Sequence, residues 1–489
     1  MRVAASTIIA FLLVSLADNA TAAAAGRCSS PAFLPSRRTS TVPGGGSPAA
    51  NDDPSPPIRP RTSAFSALSM STTTFGDASS VGDADRSFRQ GISLEKFGLT
   101  RAAAAAFHES ATLYQCFLDH HRDATGAGLD GEGGEGALLG GGDGGILAAA
   151  AANEFGHVTD LHPSGPNSCR AVLAYACVRL AHLSHDALGD SKAAARLYRE
   201  ATSIDPSPSA VSYDGVGTSV EASGGDLEEA AAAYGEAARL GPRNGAVNFH
   251  RAVALERLGR TDEAELIFDV LRRGGAELSC LVDSWGYVRW HTRKIARESN
   301  NIHRGTRDML RIGLDAAQSL VENENGLVLE FGVGSGRSIR MIQEMVPLDV
   351  PVHGFDTFTG LPHAWGSEPA GAYSTGGSIP NLEGEVYFHK GLFKDTVSNF
   401  LEGTEKYQPL AFANVDCDLY GSTLDILEGL YSRVVPGTVL AFDEYLCHPT
   451  WRQDEFRAWR ECCKRFGWHY EYLGFSLSTK QAVVRVTEA

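Results

Sequence analysis

This 489-residue sequence lacks the features that would mark a cross-linked or a nucleic-acid-coating protein. Its nine cysteines are odd in number and scattered, with no CxxC pair, which argues against a disulfide scaffold or a structural zinc site. Positive charge is scarce: 43 Lys and Arg stand against 59 Asp and Glu, a formal net charge of −16. A protein that coats nucleic acid or lies on an anionic membrane needs the opposite balance. After the first residues no apolar run is long enough to span a bilayer. Apolar residues are nonetheless plentiful, at 43%, so real cores are expected and wholesale disorder is not. The length calls for two or three domains.

The amino terminus reads as an address. Met1-Arg2 precedes an apolar run from Ile8 to Leu16, and Ala20–Ala25 offers A-x-A cleavage sites. That layout predicts a secretory signal peptide over residues 1–25. The alternative, a membrane anchor, is disfavoured because about 15 apolar residues fall short of the ~20 that span a bilayer. Residues 26–83 form a leader rich in Ser, Pro, Thr, Ala and Gly, and between Gly26 and Thr74 it holds five arginines and two acids. It is expected to be disordered. The stretch Ala32-Phe33-Leu34-Pro35 is similar to the Phe motif of bipartite plastid-targeting leaders. Secretion, a Golgi location and a complex plastid all remain open.

Residues 84–280 carry a period. A Gly, an Ala five residues later and an aromatic four after that recur as Gly98/Ala103/Phe107, Gly189/Ala194/Tyr198, Gly225/Ala230/Tyr234 and Gly259/Ala264/Phe268, with Pro206 and Pro242 closing successive units. A repeat near 34 residues with these positions resembles the tetratricopeptide repeat, an all-α array. The first copy is set apart by residues 126–145, where 11 of 20 are Gly, a flexible insertion. Such an array usually binds a peptide or protein partner, or packs against its own neighbour. Residues 281–325 read as connecting helices, with Trp285, Tyr287 and Trp290 as packing anchors.

From residue 326 to 489 the pattern turns α/β. Leu327–Phe331 reads as a buried strand running into Gly332-Val333-Gly334-Ser335-Gly336 and a helix over 337–345, the opening unit of a doubly wound, Rossmann-like sheet with its ligand at the strand's carboxyl end. The spacing is GxGxG rather than the GxGxxG that cradles a pyrophosphate. Glu330 sits at the end of the first strand and Asp356 at the end of the second, Val352–Asp356, where an acid can accept both hydroxyls of a ribose. A nucleoside without a diphosphate fits this set, which points to S-adenosylmethionine. Further strands are expected at 386–389, 409–416 and 438–443, a helix at about 422–431, and an antiparallel pair at 470–475 and 482–486, seven strands in all.

Four blocks then carry a resemblance. Leu329–Ser338, Gly354–Pro362, Val415–Thr423 and Pro436-Gly437 through Phe442-Asp443-Glu444-Tyr445 look like the macrocin O-methyltransferase-type family across about residues 305–487. The resemblance implies a class I methyltransferase that uses S-adenosylmethionine and a divalent metal, usually magnesium, to methylate a hydroxyl, often of a sugar. It implies Glu330, Gly332, Gly334, Gly336 and Asp356 at the cofactor, Asp416, Asp443 and Glu444 as metal ligands, and Asp418 as general base. Glu444 stands where antibiotic-pathway members have Asp. Carboxylate oxygens suit hard ions. Asp416 and Asp443 have a plainer reading as strand-end caps, and Asp418 as an acid at a helix start. His448 is an alternative base, Cys417 is packing, and the loop Trp365–Pro380 is a candidate lid. Two other readings compete: a repeat-based scaffold whose methyltransferase fold has lost turnover, and a metal-independent methyltransferase.

Overall fold

The structure, a computed structural model, describes residues 79–96, 99–125, 166–292, 301–323, 325–403 and 407–489. The signal peptide, most of the leader, Gly98 and the Gly-rich insertion lie outside the described residues.

The helical part is a stack of antiparallel hairpins. Its helices are α1 (Ser79–Lys96), α2 (Thr100–Thr125), α3 (Pro166–Asp186), α4 (Ser191–Ile204), α5 (Ala210–Ala222), α6 (Leu227–Leu240), α7 (Gly245–Arg257), α8 (Thr261–Arg273) and α9 (Ala276–Thr292). The first of these begins a few residues inside the stretch read as leader. Four of the helices open on short polar caps: Asp190, Ser209, Asp226 and Asn244 each accept a hydrogen bond from a first-turn N–H.

The repeat positions behave as their period predicts. Ala103, Ala194, Ala230 and Ala264 are buried, as are Phe107, Tyr198, Tyr234 and Phe268. Two glycines of α5 explain how the rings fit. A Cβ on Gly215 would lie 2.4 Å from the Tyr198 ring, and one on Gly217 would lie 2.4 Å from the Tyr234 ring. Each tyrosine therefore packs on bare backbone of an adjacent helix.

The second part is a seven-stranded sheet in the order β3-β2-β1-β4-β5-β7-β6. Its strands are β1 (Leu327–Phe331), β2 (Val352–Asp356), β3 (Val386–Lys390), β4 (Leu410–Val415), β5 (Val439–Phe442), β6 (His469–Phe475) and β7 (Ala482–Glu488). β1 to β5 pair in parallel, and β7 runs antiparallel to β5 and β6. This is the class I methyltransferase order, with the crossover between β1 and β4 placing the ligand crevice at their carboxyl ends.

Helices α10 (Thr306–Asn323) and α11 (Arg337–Met345) cover one face, where Met309, Leu310, Ile339 and Ile342 pack on Val328, Val352 and Phe412. Helices α12 (Phe393–Glu402), α13 (Tyr420–Leu430) and α14 (Glu455–Phe466) cover the other, around Leu329, Phe331, Phe442 and Trp459. β1 and β4 are buried along their whole length, as sheets covered on both faces require.

The two parts share a core. One continuous cluster runs from Phe249, Phe268 and Trp285 of the array to Trp451, Trp459 and Phe475 of the sheet domain. Polar contacts reinforce it: Asp186, the last residue of α3, accepts from Thr306 N at 2.9 Å and from its hydroxyl at 2.8 Å, and pairs with Arg337. Tyr287 meets Tyr472 at 2.6 Å, and Cys447 N donates to Ser284 Oγ at 2.9 Å. Trp285 is buried as expected, but Trp290 is not an anchor. It is 61% exposed, because α9 packs through Cys280, Ser284, Trp285 and Val288 and its last turn points Trp290 away from them.

Candidate active site

The glycine turn is forced by crowding from β4. Gly332, Gly334 and Gly336 have φ of 93°, 51° and 85°, a region that side chains rarely adopt. A Cβ on Gly332 would stand 1.6 Å from the Asp416 carbonyl oxygen, so only glycine lets the two chain segments touch. Asp416 N donates to Phe331 O at 2.8 Å, and Gly332 N to Phe355 O at 2.9 Å. The turn is thereby stitched to β2 on one side and β4 on the other.

Asp356 closes this arrangement. Its Oδ2 accepts from Gly334 N at 2.7 Å and its Oδ1 from Phe358 N at 2.6 Å. The carboxylate both shapes the glycine turn and stands at its lip, with lone pairs left over. Glu330 is fully buried and accepts from Asn414 Nδ2 at 3.0 Å, while its Oε2 has no partner. Burial pushes its carboxyl up to about 8, against the hydrogen bonds from Ser338 and Asn414, and the charges of Asp356 and Asp443 add to the rise.

Across the crevice, acids gather at the carboxyl ends of β4 and β5. Burial raises Asp416 well above the usual carboxylate range, helped by the neighbouring charges of Asp443, Asp418, Glu330 and Glu455. Asp443 is raised by burial too, opposed by a hydrogen bond from Gln481 and by the charges of Arg337 and Lys480. Asp418, with a left-handed φ of 61°, is raised to about 7 by burial and then by Asp443. Glu444 is raised to about 8 by burial, opposed by Lys480, whose Nζ lies 3.3 Å from each carboxylate oxygen.

This geometry tests the expected metal cage. The donor chemistry suits a hard cation, because buried carboxylates crowd together with Lys480 and Arg337 as the cations felt nearby. The third donor does not fit, since Glu444 is set against the Lys480 ammonium. Among the described residues, no three His, Cys, Asp or Glu side chains are gathered as an ion would require. The set Asp416, Asp443 and Glu444 is therefore not a ready-made cage.

His448 is buried, and the Glu444 carbonyl beside it fixes its tautomer. Its Nε2 lies 2.9 Å from the Glu444 carbonyl, which can only accept, so Nε2 carries the proton. Its Nδ1 faces Thr450 at 3.4 Å and Asp454 at 4.0 Å. Cys417 packs as expected: its Sγ rests 3.4 Å from Thr423 Oγ and its thiol is pushed up by burial.

The loop 365–380 lies across both halves of the crevice. Trp365 Nε1 donates to Asp454 Oδ2 at 3.1 Å, and its ring lies tilted against His448, centroids 5.2 Å apart. Pro380 sits on Gly336, 3.0 Å from where a Cβ would be. Tyr373 stands near the acids, and burial together with Asp418, Glu368 and Glu444 raises its phenol to about 12.

Sequence reading missed four residues here. Lys480 and Gln481 come from the β6–β7 turn; Glu455, buried at the start of α14, accepts from Cys417 N at 3.4 Å; and Arg337 links the turn to Asp186 of the array. A Lys-Gln pair in a tight turn at the sheet's carboxyl edge was the one available signal.

The fold is that of class I methyltransferases, carried behind tetratricopeptide-like repeats. Comparison with known proteins agrees. The macrocin O-methyltransferase family profile matches residues 379–465, and a tetratricopeptide repeat profile matches residues 174–208. The first match spans Asp416, Asp418, Asp443 and Glu444 but not the glycine turn.

Mycinamicin III 3''-O-methyltransferase of Micromonospora griseorubida is 38% identical over 72 residues, 15% of this chain and 26% of that protein. Demethyldecarbamoylnovobiocin O-methyltransferase of Streptomyces niveus is 38% identical over 79 residues, 16% of this chain and 28% of that protein. The chain thus matches about a quarter of the length of these relatives. Among solved structures, the calicheamicin methyltransferase CalS11 is 21% identical with a TM-score of 0.30, over 42% of this chain and 84% of that one.

Proposed function

We propose that the chain transfers a methyl group from S-adenosylmethionine to a hydroxyl of a small-molecule acceptor such as a sugar. One observation carries the reading: the backbone just past β4 meets the glycine turn at van der Waals range, with the Asp416 carbonyl oxygen 1.6 Å from where a Gly332 Cβ would stand. The cofactor pocket and the acid cluster are then two walls of one crevice.

In this reading the bare backbone of Gly332, Gly334 and Gly336 lets the cofactor approach closely, and Asp356 receives the ribose hydroxyls. Glu330, buried behind them, accepts from the cofactor's amino-acid end. The acceptor oxygen attacks the methyl carbon in line with sulfur; the new C–O bond forms as C–S breaks, and alignment supplies much of the rate. Asp418 takes the hydroxyl proton, and a carboxyl raised to about 7 is matched to that work near neutral pH. A divalent ion, held by Asp416 and Asp443, would place positive charge beside the acceptor oxygens and favour loss of the proton.

The test is isothermal titration of the full chain with S-adenosylmethionine, with and without magnesium, followed by mass spectrometry of extracts treated with enzyme and methyl-labelled cofactor. Binding of the cofactor and a labelled hydroxyl product are expected. Absence of cofactor binding under both conditions refutes the reading. Asp416→Asn and Asp443→Asn variants that keep full turnover refute the metal's part in it.

A further inference from the structure

Away from the crevice, α9 and α14 form the two walls of an open groove of about 1470 Å³ at the joint between the array and the sheet domain. The α9 wall presents Ser279, Val282, Gly286 and Tyr287 and ends on Trp290, which is 61% exposed. The α14 wall presents Arg457, Arg460 and Lys464, one basic stripe along a single helix face.

The charges of the groove do not balance. It is lined by six Lys and Arg and by four acids, Glu256, Glu265, Asp283 and Glu461. Every one of those acids is already paired: Glu256 with Arg289, Glu265 with Arg272, Asp283 with Arg452 and Glu461 with Arg457. Arg460 donates only to the neutral Tyr470 hydroxyl, at 3.1 Å, and Lys464 has no acidic partner among the described residues. Two cations are left over in a chain whose net charge is −16.

We propose that this groove is a docking site for an acidic peptide segment of a partner protein. The spacing specifies its pattern. Arg460 and Lys464 lie four residues apart on a helix, a rise of about 6 Å. Alternate residues of an extended chain point the same way about 6.6 Å apart. An acid-x-acid pair therefore meets both cations, and an apolar residue packs on Trp290. The shared wall of α14, 12 residues long, spans about 18 Å, room for some five or six extended residues. Nucleic acid is a poor occupant, because four interleaved carboxylates would face its phosphates.

The experiment pans a displayed library of random peptides of about 12 residues against the full chain, then measures a fluorescein-labelled selected peptide by anisotropy. Selected peptides should be enriched in acid-x-acid spacing. Binding should weaken at least about tenfold in the Arg460→Glu/Lys464→Glu double variant and in Trp290→Ala, the size of one lost hot-spot contact. Arg460→Gln/Lys464→Gln, which adds no new repulsion, should fall in between, and unchanged melting curves show that the variants are folded. Selection without acidic enrichment, equal binding by the variants, or displacement of the peptide by a short uridine RNA overturns the proposal. None of these readings depends on methyl transfer.

Discussion

Asp186 is the residue whose removal speaks most directly to how the array and the sheet domain work together. Its side chain is buried, and one carboxylate oxygen accepts from both Thr306 N and Thr306 Oγ while the other pairs with Arg337. Thr306 is the first residue of α10, so the carboxylate acts as a cap from 120 residues away, where a negative charge also favours the helix dipole. Arg337 begins α11, directly after the glycine turn, and is half exposed at 44%. Asp186→Ala abolishes two hydrogen bonds to a buried charged acceptor, each worth about 1.5–3 kcal/mol, so a loss of about 3 kcal/mol or more is expected. Arg337→Ala should cost far less, about 1 kcal/mol or below, because its guanidinium is well solvated. Guanidinium titration followed by tryptophan fluorescence reads both, and isothermal titration reads the cofactor. Asp186→Ala should weaken S-adenosylmethionine binding, since Arg337 loses its anchor beside the turn. A stability loss below about 0.5 kcal/mol, within the range of ordinary surface changes, together with unchanged cofactor affinity, would sink the argument.

Gly332→Ala should abolish cofactor binding in titration calorimetry, because the new methyl overlaps the Asp416 carbonyl and the φ of 93° is strained for any side chain. Gly217→Ala gains about 1 kcal/mol of helix propensity yet should lower the melting temperature, since its Cβ would meet the buried Tyr234 ring at 2.4 Å. Glu330 is raised to about 8 in the fold against an unfolded value of 4.5, so the native state holds the proton more tightly; its contribution is fully present below pH 4.5 and is lost as pH rises towards 8, with a slope of at most about 1.4 kcal/mol per pH unit. Glu330→Gln should flatten the fall in melting temperature across that window, and an unchanged slope counts against it. Lys480→Met removes the ammonium that faces Glu444; if Glu444 is a metal donor, magnesium should bind more tightly by calorimetry, and unchanged affinity restricts the ion to Asp416 and Asp443.

Much of the sheet could be read from the chain because local signals were unambiguous. Leu327–Phe331 is a run of apolar residues ending on an acid and a glycine turn, and it forms β1 between those residues. The periodic Gly, Ala and aromatic positions of the repeats pointed inward because each serves one packing role in each hairpin. The acids at strand ends were legible as candidates, since strand ends converge on one edge in a parallel sheet. What was illegible is what comes from far away in sequence. Asp186, which holds Arg337, has no local pattern, and the turn pair Lys480-Gln481 does not by itself show that Lys480 opposes Glu444. Trp290 looked like an anchor because aromatic residues are usually buried, and the face of α9 it occupies is decided by the neighbours of that helix. His448 reads as an alternative base by residue type, and its burial beside Trp365 has no signal in the local sequence.

The strain in this fold is concentrated where the chemistry would be. Of six non-glycine residues with positive φ among the described residues, Phe358, Asp418, Cys447 and Lys480 follow β2, β4 or β5 or turn back into β7, and Tyr373 stands in the loop above them. Each costs of order 1 kcal/mol, so something outside the sheet has to hold them. The array supplies part of that: Ser284 of α9 accepts from the N–H of Cys447 itself, and Asp186 holds the first residue of the helix that leaves the glycine turn. The shared core between Trp285 and Phe475 prevents the two parts from sliding apart. The repeats therefore brace the crevice from two sides while their outer groove stays open, so a partner seated against α9 would press on the helix that supports Cys447.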